Sequence, residues 1–255
     1  MTEPMRVAVT GGSGLIGGIL RDGLADQFAL RLLSRSDADV TDLAALEHAF
    51  AGADAVVHLA ADADSFASWD EVLPANVIGA YHAFEAARRA GAGRVVFASS
   101  NHVMGMAMWD DDRFADQEHP VEVSANEPIR PDGLYGASKA WGEALGRLYA
   151  ERHGLAVVCL RIGWVTAQDR PPSSTAMRRE PPEVARRAAG MWLSHRDCVS
   201  LIEAALTADV GFAIVNGVSD NVGRWFSLEA GRRLLGWVPA GRARAASESS
   251  RMIEE

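Results

Sequence analysis

Hydrophobic positions along the chain alternate between short dense runs and longer periodic stretches. Arg6–Thr10 (R-V-A-V-T), Ala29–Leu33, residues 55–59 (A-V-V-H-L), residues 94–98 (R-V-V-F-A) and Ala156–Ile162 (A-V-V-C-L-R-I) predict buried strands. Leu15, Ile16, Ile19, Leu20 and Leu24 recur at helical spacing after the first run. Leu43–Phe50 reads as a helix with Asp42 as N-cap, residues 76–90 as a helix ended by glycines 91 and 93, and Leu134–His153 as a long helix. Apolar strands alternating with helices predict an α/β fold, a Rossmann-type doubly wound parallel sheet covered on both faces. One such domain over residues 1–240 is expected, with a small C-terminal substrate-binding lobe. Two stretches break the rhythm. Residues 106–131 are polar and acidic, and residues 167–190 are rich in Pro, Ser and Arg. Both follow strand ends and predict substrate loops above the sheet. Residues 241–255 are small and polar and read as a flexible tail.

Composition narrows the partners. The 255 residues carry a net charge of −9, which argues against nucleic acid. With 48% hydrophobic residues the chain has material for a sizeable core, and global disorder is excluded. No apolar run has transmembrane length and no signal-peptide pattern opens the chain, so a soluble cytoplasmic protein without a membrane partner is expected. Cys159 and Cys198 lack metal-ligand spacing and read as packing residues; no metal site is predicted. Of 25 basic residues, 24 are arginines and one, Lys139, is a lysine. A chain that uses arginine wherever a cation suffices has kept one compact ammonium, which a planar guanidinium cannot replace in shape.

The chemistry lies in two motifs. Gly11, Gly14 and Gly17, enclosing Leu15 and Ile16, form G-x-x-G-x-x-G between the first strand and the first helix. Glycines there permit a tight turn and close approach of a pyrophosphate, and the helix N-terminus supplies free N–H groups, so a dinucleotide is implied. Beyond strand two, an acid binding the ribose hydroxyls of NAD is replaced by Ser34-Arg35-Ser36. Arg35 either pairs with a 2′-phosphate, which favours NADP over NAD, or is an ordinary solvated arginine. Tyr135 and Lys139 form Y-x-x-x-K, one helical turn apart on one face. A neighbouring ammonium is expected to bring the phenol toward working pH, making Tyr135 the acid–base group. Ser100, at a strand end, is placed to hydrogen-bond the reacting oxygen.

T-G-G-S-G-L-I-G, H-L-A-A (58–61), N-V-I-G (76–79), S-S-N-H (99–102) and Y-G-A-S-K resemble the extended short-chain dehydrogenase/reductases, from Arg6 to about Pro239. L-G-W-V-P closes the resemblance as in sugar epimerases. F-A-S-S-N-H, R-P-D-G-L-Y and W-L-S-H-R-D-C are similar to uronate dehydrogenases and to haloarchaeal sugar-phosphate dehydrogenases of this group. The resemblance implies oxidation of a cyclic sugar at C1 to a lactone in a homodimer or larger homo-oligomer. It adds Asp39, Val40, Leu59, Ala60, Ala61, Asn76 and Ile162 to the dinucleotide site. It adds Ser65, Asn101, His102, Trp164 and Arg187 to the substrate site. Arg187 falls where uronate dehydrogenases place a carboxylate-binding arginine; its alternative is a solvated helix charge. His102 is a sugar contact or a packed polar residue at the cleft edge. Arg170, Arg178, Arg179 and Arg186 crowd the same region and either bind a sugar phosphate or are solvated. The departures are Trp164 in place of a small serine, the missing strand-two acid, one extra residue within 62–69 and the 106–131 insertion. A nucleotide-sugar epimerase or reductase and a non-catalytic NADP-sensing regulator are the alternative functions.

Overall fold

The computed structural model describes residues 3–116, 118–172 and 182–241. Six strands form one parallel sheet: β1 (Arg6–Thr10), β2 (Ala29–Leu33), β3 (Ala55–His58), β4 (Arg94–Ser100), β5 (Ala156–Ile162) and β6 (Phe212–Gly217), ordered β2-β1-β3-β4-β5-β6. The five predicted strands are present, with β4 two residues longer; β6 was not singled out by its pattern. After β2 the chain crosses back over β1 to build the rest of the sheet. The carboxyl ends of β1 and β3 therefore part at the switch point, where open α/β sheets bind ligands.

The central strands are valine-rich because both their faces are covered. On one face α2 (Leu43–Phe50), α4 (Gly79–Arg89) and α5 (Leu134–His153) bury Leu46, Phe50, Phe84, Leu145 and Tyr149. On the other, α1 (Leu15–Leu24) and α7 (His195–Thr207) bury Leu20, Leu24, Leu201 and Ile202. Asp42 caps α2 as expected, its carboxylate accepting the Ala45 N–H at 3.0 Å. The helix expected from residue 76 starts earlier: a Ser68–Glu71 capping box opens α3 (Trp69–Val72), and a π-turn at Leu73–Ile78 joins it to α4. Gly142 lets α5 lie directly on β4, since a Cβ there would overlap the Phe97 ring. That contact seats the first turns of α5 over the sheet's carboxyl edge.

The 106–131 stretch is not simply a polar loop. Residues 101–109 and 111–114 form 3₁₀ turns that bury Met104, Ala107 and Phe114, and Val123 bridges to Phe226 beside β6. Its apolar residues follow neither strand nor helix period, which hid their core role. Two short helices, α6 (Pro182–Ala189) and α8 (Glu229–Leu235), complete the described elements. Asp197 ties residues 219, 240 and 241 together. The tail beyond residue 241, Arg178, Arg179 and the Arg186 side chain lie outside the described residues. No described helix is long and apolar enough to cross a membrane.

Candidate active site

A cleft of about 1550 Å³ runs along the carboxyl edge of the sheet. That exceeds the roughly 300–1,000 Å³ of ordinary small-ligand pockets and leaves room for a dinucleotide beside a small substrate. One end is built by the glycine turn. Gly11 has φ 70°, and a Cβ on it would sit 2.8 Å from the Ala60 backbone nitrogen. Gly14 is the N-cap of α1, whose first turn holds no acid. A glycine-thinned turn feeding open N–H groups at a helix N-terminus fits a pyrophosphate. Gly11, Gly14, Leu15, Ile16 and Gly17 line this end. Ser34, Arg35, Val40, Leu59, Ala60, Ala61 and Ile162 line its continuation.

Two expected dinucleotide residues stand elsewhere. Asp39 does not line the cleft; its carboxylate accepts hydrogen bonds from the Thr41 N–H and hydroxyl at 2.9 and 2.8 Å. Asn76 is buried beneath the cleft floor and braces two elements. It accepts the Asp62 N–H at 2.7 Å and donates to the Asp62 carbonyl and the Ser138 hydroxyl at 2.9 and 3.1 Å. The strand-two end also holds an acid that the motif reading missed. Asp37 accepts the Ser34 N–H at 2.8 Å and the Ser34 hydroxyl at 2.5 Å. Ser34 is therefore already engaged, and Arg35 is the exposed donor of the pair.

At the other end Ser100, Tyr135 and Lys139 converge. β4 carries Ser100 to its last residue, and the Ser100 hydroxyl caps the following 3₁₀ turn by accepting the His102 N–H at 3.2 Å. Tyr135 lies in the first turn of α5, hydrogen-bonded through its side chain to Ser100. Lys139, 4% exposed, places Nζ 5.7 Å from the Tyr135 ring centre and 5.3 Å from that of Phe97. Burial lowers the Lys139 ammonium to about 8. Burial also raises the Tyr135 phenol; the Ser100 bond opposes this, while Asp62 and Asp132 add to it. This corrects the expectation of a phenol already lowered by its ammonium. Desolvation is the largest cause for both groups. Below Lys139, His58 is fully buried and held neutral by burial and by Lys139, at about 3. Its Nδ1 pairs with the Thr10 hydroxyl at 2.8 Å, tying β3 to β1 at the switch point.

The substrate side is assembled from Ser65, Asn101, His102 and Trp164, all of which line the cleft as expected. Arg187 does not line it. Its guanidinium donates to the Met108 carbonyl at 2.7 Å and to Asp111 at 2.9 Å, and it stacks 4.1 Å from the Phe114 ring centre. The expectation of an anion-binding Arg187 is corrected: the group clamps α6 to the 3₁₀ segment. Arg170 donates its N–H to Thr166 within its own loop and is exposed. The motif reading missed the cleft residues Phe66, Met106, Met108, Trp109, Asp132 and Met191. Only Asp132 had a signal, its place in R-P-D-G-L-Y just before the reactive tyrosine.

Comparison with known proteins agrees with this architecture. The model of the NAD dependent epimerase/dehydratase family matches residues 7–208. The NAD-dependent glucose-6-phosphate dehydrogenase of Haloferax volcanii is 38% identical, covering 94% of each chain. The L-arabinose 1-dehydrogenase (NAD(P)(+)) of the same organism is 38% identical over 92% of this chain and 96% of its own. The crystal structure of uronate dehydrogenase from Agrobacterium tumefaciens, complexed with NAD, superposes with a TM-score of 0.77 at 32% identity, covering 98% of this chain and 89% of that one. With its glycine turn, its Tyr135–Lys139 helix and a family match over most of its length, the chain belongs to the NAD-dependent epimerase/dehydratase family, the extended short-chain dehydrogenase/reductases.

Proposed function

We propose that this oxidoreductase oxidises a cyclic sugar at C1 to its lactone, with Tyr135 as general base. The observation that carries the reading is the convergence of Ser100, Tyr135 and Lys139 at one end of a cleft whose other end is the glycine turn. The Ser100 and Tyr135 hydroxyls both address the C1 hydroxyl oxygen. Tyr135 takes its proton, and Lys139 stabilises the resulting phenolate from the same helical face. A bound nicotinamide supplies the acceptor for the hydride that leaves C1. Met108, Trp164 and Met191 add apolar surface to the lining of the cleft.

The described walls favour a neutral aldose over a uronate or sugar phosphate. Beside the uncharged polar groups of Ser65 and Asn101 they carry the acids Asp64 and Asp132, and Arg187 is committed to Met108 and Asp111. Of the relatives above, the L-arabinose enzyme acts on a neutral sugar by its name. For the dinucleotide, the proposal is NADP preferred over NAD, with Arg35 alone as the cation for a 2′-phosphate. Assembly as a homodimer or larger homo-oligomer is part of the proposal, supported by the exposed Tyr81, Trp141 and Leu148 on α4 and α5.

The testing assay offers neutral aldoses, uronates and hexose phosphates, each with NAD⁺ and NADP⁺. The account expects lactone formation with the highest kcat/KM on a neutral aldose. Preference for an acidic or phosphorylated sugar would move the anion site to arginines outside the described residues. Interconversion of a nucleotide sugar without net reduction would make the chain an epimerase, and dinucleotide binding without any turnover a sensor.

A further inference from the structure

One carboxylate in the cleft has no part in the reaction above. Asp132 lies three residues before Tyr135, in the segment leading into α5. Its two oxygens stand 3.0 and 2.8 Å from His102 Nδ1. The backbone is thinned to admit it. A Cβ on Gly105 would overlap the carboxylate, while one on Gly136 would overlap the His102 backbone carbonyl, so Gly136 admits the His102 backbone. The His102 ring stands edge-on to the Tyr135 ring, centroids 5.6 Å apart at 73°. Asp132, His102 and Tyr135 thus form a contact series along one wall.

A carboxylate can only accept, so the proton of a neutral His102 is held on Nδ1. Nε2 is then an unprotonated nitrogen that can itself only accept. His102 lines the cleft, and among the described residues Nε2 has no partner. The cleft therefore presents a fixed hydrogen-bond acceptor next to the general base. A neutral sugar offers hydroxyl donors around its ring; a carboxylate or phosphate facing that lone pair would be repelled.

We propose that Asp132 is a positioning residue that locks His102 in the Nδ1–H tautomer, so that Nε2 accepts a hydrogen bond from a second hydroxyl of the sugar. The proposal rests on the sugar dehydrogenase reading. It explains why Gly105 clears space for this side chain and Gly136 for the His102 backbone.

The test compares wild type with Asp132→Asn, which keeps size and removes charge. The variant is expected to raise KM for the sugar about two- to tenfold, the loss typical of a neutral hydrogen bond, and more than it lowers kcat. Dinucleotide affinity, measured by fluorescence titration, should not change. Among monodeoxy analogues, one should be selectively poor with wild type, and Asp132→Asn should lose that discrimination. ¹⁵N NMR of labelled histidines, with His102→Gln identifying the signal, should show an unprotonated Nε2 in wild type and a tautomer mixture in Asp132→Asn. An Nε2–H tautomer in wild type would overturn the proposal. So would parallel losses in kcat and dinucleotide affinity, which indicate a structural role. If no sugar is oxidised the underlying reading fails, and the NMR result alone then decides whether Asp132 sets the tautomer.

Discussion

Burial moves Tyr135 and Lys139 in opposite directions: the phenol becomes harder to ionise and the ammonium easier to discharge. The base form of a raised tyrosine grows with pH, so kcat for oxidation should climb through the alkaline range. Tyr135→Phe should keep dinucleotide binding and lower kcat by at least about 10²-fold; a variant with most of its turnover would remove Tyr135 from the chemistry. Lys139 gives a stability prediction. Its folded value of about 8 lies below the ordinary 10.5, a difference worth about 3 kcal/mol. The folded state resists the charged form, so the destabilisation is fully present below pH 8 and fades as pH rises toward 10.5. Lys139→Met should therefore have a higher Tm than wild type at neutral pH, yet gain less from alkali. A lower Tm at neutral pH would mean that cleft solvent already compensates the ammonium. At the strand-two end, Arg35→Ala should cost kcat/KM with NADP⁺ about tenfold relative to NAD⁺. Asp37→Ala, which frees Ser34 from its carboxylate, should shift the ratio the other way. If neutral variants at both positions leave both KM values unchanged, the NADP assignment falls.

Between elements, the catalytic end rests on a buried ionic network. Arg161 of β5 donates twice to Glu143 of α5 at 2.8 Å, and the Ser99 hydroxyl of β4 donates to the same carboxylate at 2.6 Å. The two charged side chains are 1% and 5% exposed. Glu143 lies one turn beyond Lys139, and Ser99 directly precedes Ser100. The network thus holds β4, β5 and α5 at the spacing that brings Ser100 to Tyr135. Glu143→Gln should lose about 3–5 kcal/mol in urea unfolding, because Arg161 is left buried with its charge uncompensated. Replacing both residues by methionine should recover much of that loss; additive losses would show independent roles. None of this was legible beforehand. Arg161 and Glu143 stand 18 residues apart, and a glutamate in a long helix reads as solvated. The elements themselves were legible. Strand runs and helix periods are local, and five strands, the Asp42 cap and the Leu134–His153 helix followed from them. The residues 101–114 were not, since 3₁₀ turns have no long apolar period to read.

For the whole molecule, the parallel sheet turns separate motifs into one site. The glycine turn and the Tyr135–Lys139 pair, more than 100 residues apart, meet because both lie along the carboxyl edge of one sheet, the turn after β1 and the pair on α5 packed against β4. Motif spacing therefore placed Gly11, Ser100, Tyr135 and Lys139 correctly on the cleft. The residues that only the family resemblance supplied, Arg187 and Asn76, do not line the cleft; their side chains are drawn into contacts with Met108, Asp111, Asp62 and Ser138 that only the folded chain creates. The central claim is oxidation at C1 of a sugar with net transfer of its hydrogen to the dinucleotide. Its most direct measurement is the fate of deuterium placed at C1 of the best sugar found, followed by mass spectrometry of sugar and dinucleotide after turnover. The account predicts deuterium in the reduced dinucleotide, an unlabelled lactone and no transfer by Tyr135→Phe. Deuterium retained on the sugar, with the dinucleotide left oxidised, would contradict it.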